Sequence, residues 1–121
     1  MARILVVDDD AELLGFYGDI LESEGHQVDR ASDGEEGFTF AQKGGYDLIL
    51  LDVNLPKRDG PTIIKDLQTG GTTSPNGKLC LLTNATEVTD DGEVASLGVQ
   101  CLIKSSLTPD EFLAQVRSLL S

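Results

Sequence analysis

Five short apolar runs punctuate this chain, and between them apolar residues recur at helical spacing, so the order reads strand then helix, five times over. That alternation leaves few architectures. A strand followed by a helix returns to the same sheet parallel to itself through a right-handed crossover, which predicts a parallel sheet covered by helices on both faces. Central strands of such a sheet are buried on both sides and read as unbroken apolar runs rather than alternating ones. Leu48, Ile49, Leu50 and Leu51 form one such run, bounded by turn residues, and it stops abruptly at Asp52. A carboxylate just past the carboxyl end of a central parallel strand stands where open α/β sheets place their ligands. By itself, an Asp there is as well explained as the opening of a turn.

The other runs repeat the pattern. Ile4 to Val7 ends at Asp8, Asp9 and Asp10, and a helical stripe of Leu13, Leu14, Tyr17, Ile20 and Leu21 follows, closed by Gly25. Gly15 and Gly18 weaken that helix by about 1 kcal/mol each relative to Ala. Gln27 to Ala31 reads as a short peripheral strand. Ser32 and Glu35 have capping-box spacing and open a helix that Gly44 and Gly45 terminate. Beyond Asp52, Gly60 and Pro61 start a short helix with Ile63, Ile64 and Leu67 facing inward. Gly70 to Gly77, rich in turn formers, reads as a surface loop. Leu79 to Leu82 runs directly into Thr83, and Val99 to Ile103 into Lys104. Between them, Thr86 to Leu97 carries only a ragged stripe interrupted by Asp90, Asp91 and Gly92, which predicts a marginal helix. Thr108, Pro109 and Glu111 combine a cap, a first-turn proline and a capping-box glutamate before the stripe Phe112, Leu113, Val116, Leu119 and Leu120.

A chain of 121 residues that is 40% hydrophobic suits one domain, residues 1–121, around a single core. Nine Lys plus Arg against 21 Asp plus Glu give a formal charge of -12, which opposes direct binding to nucleic acid and favours basic or metal-bearing partners. The opening MARILVV is neither a signal peptide nor a membrane span, so no membrane association is expected and the cytoplasm is the default. Cys80 and Cys101 lack metal-type spacing and read as buried reduced thiols. His26, the single histidine, follows Gly25 in a turn and reads as a surface residue.

Four strands therefore end at polar groups: Asp8 with Asp9, Asp52, Thr83 and Lys104. In a parallel sheet these ends share one edge. Three carboxylates brought together repel one another unless a cation sits among them, and an oxygen-only ligand set suits Mg2+. A carboxylate can also attack phosphorus to give an aspartyl phosphate, and Asp52, isolated on the central strand, is placed for that role. The Thr83 hydroxyl and Lys104 ammonium would then contact phosphoryl oxygens, since phosphoryl transfer depends on positioning and charge neutralisation. Taken singly, each member has an ordinary explanation as a cap, a turn opener or a surface charge. The joint placement on one edge is what points to a site.

With Asp8, Asp9, Asp52, Pro56 four residues on, Gly60 eight on, Thr83 and Lys104 in place, nearly the whole chain resembles the response-regulator receiver domain of two-component signalling. The resemblance implies a flavodoxin-like, doubly wound, five-stranded parallel sheet of order 2-1-3-4-5 with five helices. It implies that Asp52 accepts a phosphoryl group from a histidine kinase or phosphotransfer protein, with Asp8, Asp9, Asp52 and the backbone carbonyl of Asn54 organising Mg2+. It also implies that Thr83 and Lys104 contact the phosphoryl group. The surface of the fourth helix, fifth strand and fifth helix then rearranges to control a downstream protein, and that same face is one through which such domains form homodimers. Three positions depart from the family pattern: Cys101 replaces a usual aromatic, Ser105 replaces the proline after the lysine, and Asn84 replaces a small residue after Thr83.

Those departures support a second reading, a protein-interaction module of the same fold that signals without phosphorylation; the complete set of Asp8, Asp9, Asp52, Thr83 and Lys104 opposes it. A third, an aspartate-nucleophile phosphatase with the Asp8 and Asp10 pair, meets Glu12 where a Thr or Val is typical and has no room for a cap domain. On the leading reading the chain is a phosphoacceptor rather than an enzyme acting on other molecules.

Overall fold

The computed structural model describes residues 2–53, 55, 57, 60–67, 77–83, 100–103 and 108–120, with the backbone alone at Pro61, Thr83 and 100–103. In chain order the elements are β1 (Arg3–Val7), α1 (Ala11–Ser23), β2 (Gln27–Ala31), α2 (Gly34–Lys43), β3 (Leu48–Asp52), α3 (Gly60–Asp66), β4 (Lys78–Thr83), β5 (Gln100–Ile103) and a C-terminal helix (Pro109–Leu120). The strands pair in parallel in the order β2-β1-β3-β4-β5, with Val7 opposite Leu51, Leu51 opposite Leu81 and Asp52 opposite Leu82. The expected loop at Gly70 to Gly77, apart from Gly77 itself, and the expected helix at Thr86 to Leu97 lie outside the described residues.

Alternation along each strand divides the apolar side chains between two cores, because successive residues of a strand point to opposite faces. Ile4, Val6, Leu48, Leu50, Cys80 and Leu82 pack with Leu14, Tyr17 and Leu21 of α1 and with Phe112, Val116 and Leu119 of the C-terminal helix. Leu5, Val7, Ile49, Leu51 and Leu81 pack on the other side with Ala41 of α2 and with Ile63, Ile64 and Leu67. Leu48 through Leu51 are fully buried, as a strand covered on both faces must be. Each such side chain contributes roughly 1.5–3 kcal/mol relative to exposure. The Tyr17 and Phe112 rings, 4.8 Å apart, join the two helices of the first face.

Helix starts follow local chemistry. Asp10 caps α1, its Oδ1 accepting the Glu12 and Leu13 amides at 3.0 and 3.3 Å. The last helix carries the expected capping box: Thr108 Oγ1 accepts from Glu111 N–H and Glu111 Oε1 from Thr108 N–H, both at 3.2 Å. At α2 the cap is displaced by one residue from the Ser32 expectation. Asp33 is the cap and accepts from Glu36 N–H at 2.8 Å, while Glu36 Oε1 takes the Ser32 amide at 3.2 Å. The two pairs share one spacing, and the charged, fixed carboxylate of Asp33 is the stronger acceptor.

The two α1 glycines divide. A Cβ on Gly15 would meet nothing within 4 Å, whereas one on Gly18 would fall 2.3 Å from the Arg30 guanidinium, which lies across the helix and pairs with Glu22 at 2.8 Å and Asp19 at 3.3 Å. Gly18 therefore makes room for a strap between α1 and β2, and no such reason attaches to Gly15.

Candidate functional site

In this sheet the strand order reverses between β1 and β3, since the chain leaves β1 for β2 on one side and next returns to β3 on the other. Crevices at the carboxyl ends of strands open at such points. Asp8 directly follows Val7 and Asp52 ends β3, so the Val7–Leu51 register sets the two carboxylates side by side. One carboxylate oxygen each from Asp8, Asp9 and Asp52 lies within 4.8 Å of the others. Asp8 is fully buried, Asp52 is 4% exposed and Asp9 faces solvent. Two carboxyl groups are thus held out of water and beside a third, an arrangement that a hard cation resolves.

Backbone contacts hold the acids in place. The Asp8 amide donates to the Ala31 carbonyl at 3.1 Å, and Asp8 Oδ1 accepts from Asp10 N–H at 2.9 Å. The acidic triplet therefore separates by role: Asp10 caps α1, while Asp8 and Asp9 join the cluster. On the other side, Val53 N–H donates to Leu82 at 3.1 Å and Gly60 N–H to Val53 at 3.2 Å, closing the base of the segment from Asp52 to Gly60. A Cβ on Gly60 would come 2.5 Å from the Asp52 carbonyl oxygen and 2.8 Å from Leu81 Cδ2. The spacing of eight between Asp52 and Gly60 thus has a steric basis that a reading of Gly60 as a turn residue does not contain.

Within that segment Lys57 adopts φ 69°, the left-handed region, and its Nζ lies 3.5 Å from Asp33 Oδ2. The Glu36 amide and, to a lesser extent, Lys57 hold the Asp33 carboxyl below its ordinary range. Neither residue stood out in the sequence. A helix cap one residue past an equally plausible Ser, and a lysine in a loop, give no local sign of meeting.

Thr83 ends β4 on this same edge, one residue beyond Leu82, which is opposite Asp52, and Cys101 stands opposite Leu81 in β5. Asn54, Asn84, Lys104 and Ser105 lie outside the described residues. Cys80 is fully buried, as expected. His26 differs from expectation: it is half-buried, because its Nδ1 accepts the Ala2 amide at 3.0 Å and so joins β1 to the start of β2. It lines an open cavity of about 610 Å³ with Asp47, Lys78 and Arg117, at the amino ends of the strands and far from the acidic cleft. Polar groups there are already engaged: Asp47 accepts the Arg3 amide at 2.9 Å, and Arg117 pairs with Glu24. Among the described residues no helix is long and apolar enough to cross a membrane.

Comparison with known proteins matches this geometry. The transcriptional regulatory protein PcoR of Escherichia coli is 37% identical over 99% of this chain and 52% of its own length. DltR of Streptococcus agalactiae is 34% identical over 95% of this chain and 50% of its own length. The chain thus spans about half the length of these curated relatives. Among solved structures, chemotaxis response regulator CheY4 of Vibrio cholerae superposes with a TM-score of 0.84 at 28% identity, covering 99% of both chains. TrrA of Thermotoga maritima, solved in complex with Mg2+ and BeF, superposes with a TM-score of 0.81 at 30% identity, covering 99% of this chain and 100% of its own. The family described as the response regulator receiver domain matches residues 4–117, from the first core residue of β1 into the last helix and across the whole acidic cleft. The chain therefore belongs to the receiver domains of two-component signalling.

Proposed function

We propose that this receiver domain is a phosphorylation-dependent switch in which Asp52 accepts a phosphoryl group from a histidine kinase or phosphotransfer protein. The observation that carries the reading is the meeting of Asp8, Asp9 and Asp52 within 4.8 Å at the point where the strand order reverses. Every donor in that set is a carboxylate oxygen, two are buried and one is open to solvent, which suits Mg2+ with part of its shell left to water. Asp8, Asp9, Asp52 and the backbone carbonyl of Asn54 would hold the ion. When bound, it supplies charge neutralisation for the phosphoryl oxygens. The Asp10 amide orients the Asp8 carboxylate, and the close approach of Gly60 fixes the Asp52 backbone. Asp52 is the nucleophile, and Thr83 and Lys104 contact the transferred group.

On this reading the output surface comprises a helix at Thr86 to Leu97, which completes a set of five helices, together with β5 and the C-terminal helix. Its partner is a downstream protein; relatives named as transcriptional regulatory proteins support a role in transcriptional control, without direct contact between this acidic domain and nucleic acid. The same face serves a homodimer. The domain acts in the cytoplasm as a phosphoacceptor, catalysing at most its own phosphorylation and dephosphorylation.

Incubation with a small-molecule phosphodonor and Mg2+, followed by weighing the intact protein, should show one added phosphoryl group, absent without Mg2+ and absent in Asp52→Asn. An unmodified wild type, or an equally modified variant, rejects the proposal. The second reading, an interaction module without phosphorylation, is favoured by Asn84, Cys101 and Ser105 and predicts no response to Mg2+ titration. Mg2+ binding that disappears in Asp9→Asn decides against it.

A further inference from the structure

The acidic cleft has two walls, and one ion pair outside the carboxylate cluster joins them. Asp8 hangs from the Ala31 carbonyl at the end of β2 through its 3.1 Å amide bond, and Asp33 follows Ala31 by two residues. On the other wall, Lys57 follows Asp52 by five residues inside the segment that the Gly60 to Val53 bond closes at 3.2 Å. Lys57 Nζ reaches Asp33 Oδ2 at 3.5 Å. The path Asp52, Lys57, Asp33, Ala31, Asp8 therefore runs from one wall to the other through short covalent segments and two non-covalent links, and the pairing of β1 with β3 closes it.

Two features separate this pair from an ordinary surface contact. Asp33 is already ordered, since its other oxygen is bound by the Glu36 amide at 2.8 Å and its side chain is only 22% exposed, so little further freedom is lost on pairing. Lys57 is the only non-glycine residue with positive φ among those described, a conformation that costs about 1 kcal/mol or more and persists only where surrounding contacts impose it. The pair also has a force to oppose. Carboxylates as close as those of Asp8, Asp9 and Asp52 repel one another when ionised, and movement of the Asp52 wall away from the Asp8 wall would relieve that repulsion.

We propose that Lys57 is a positioning residue for cation binding: its ion pair with Asp33 straps the two walls of the cleft together and holds the carboxylates at cation-binding separation. This inference rests on the reading of the cluster as a Mg2+ site. It carries a sign that distinguishes it from simple electrostatics. Removing a positive charge near a cation site should strengthen Mg2+ binding through space, whereas removal of the strap should weaken it.

The test is Mg2+ titration of the wild type, Lys57→Met, Asp33→Asn and the double variant, followed by calorimetry at low and high ionic strength. Lys57→Met keeps the aliphatic stem, and Asp33→Asn keeps an oxygen for the Glu36 amide, so both retain the fold; circular dichroism checks this. Each single variant is expected to bind Mg2+ about two- to fivefold more weakly, the range open to an exposed ion pair, and the double variant no more weakly than a single. The gap from wild type should narrow as salt screens the pair. A merely structural pair would shift the melting temperature and leave the affinity of the folded protein unchanged, which overturns the proposal. Tighter binding by Lys57→Met overturns it too. A wild type that binds no Mg2+ would instead reject the metal site itself, and the strap with it.

Discussion

Gly60 stands against the Asp52 carbonyl so closely that a Cβ there would approach the oxygen to 2.5 Å. The first residue of α3 and the last of β3 thus share a space with no room for a side chain. Gly60→Ala should destabilise the fold by about 1–3 kcal/mol, as overpacking against backbone does, and weaken Mg2+ binding because the Asp52 backbone must shift. Urea unfolding and Mg2+ titration of the variant would show both effects; unchanged values for both would mean the contact is easily relieved.

The glycines of α1 make a paired prediction. Gly15→Ala places a methyl in open space and gains helix propensity, so stability should rise by about 0.5–1 kcal/mol. Gly18→Ala must displace the Arg30 guanidinium from Glu22 and Asp19, and should show no such gain. Chemical denaturation of both variants distinguishes them, and equal gains would show that the Arg30 strap has no preferred seat.

Cation linkage gives the acidic cluster a thermodynamic signature. Mg2+ at 100 times its dissociation constant should stabilise the wild type by about 2.7 kcal/mol, while Asp9→Asn should show little stabilisation. Without divalent cation, Asp9→Asn should be at least as stable as the wild type, because one member of a repelling group has been neutralised. Thermal melts with and without Mg2+ test this, and a variant that is markedly less stable in chelator would contradict it.

At the opposite edge, burial and a 2.6 Å hydrogen bond to Asp29 raise the Tyr46 phenol well above the ordinary tyrosine range. The folded state therefore keeps this proton after the unfolded chain, with its pKa of about 10, has released it. The contribution is fully present below about pH 10 and declines as pH rises beyond it. Tyr46→Phe should lose stability at neutral pH, by about 1 kcal/mol for the missing hydrogen bond, and show a shallower alkaline decline. Equal alkaline slopes in urea melts would refute the assignment.

Much of the architecture was legible in the chain because strand burial, helical stripes and caps are written in residues a few positions apart. The runs Ile4 to Val7 and Leu48 to Leu51, the Thr108 capping box and the acid at the end of β3 all appear where their local patterns place them. Where two local patterns competed, sequence could not arbitrate. Ser32 and Asp33 have identical capping spacing to Glu35 and Glu36, and only the folded turn selects Asp33. Likewise His26 looked like a turn residue until the start of β1 came alongside and supplied the Ala2 amide.

By itself the sequence determined a parallel α/β sheet with carboxylates at the ends of its first and third strands, because periodicity and punctuation act over neighbouring residues. The tertiary structure decided which acids meet. Asp9 joins Asp8 and Asp52 while Asp10 turns away to cap α1, Gly60 is required by the Asp52 carbonyl, and Lys57 finds Asp33 24 residues away in sequence. Those pairings depend on strand register and helix packing, which bring distant residues within ångströms and leave no trace in local spacing.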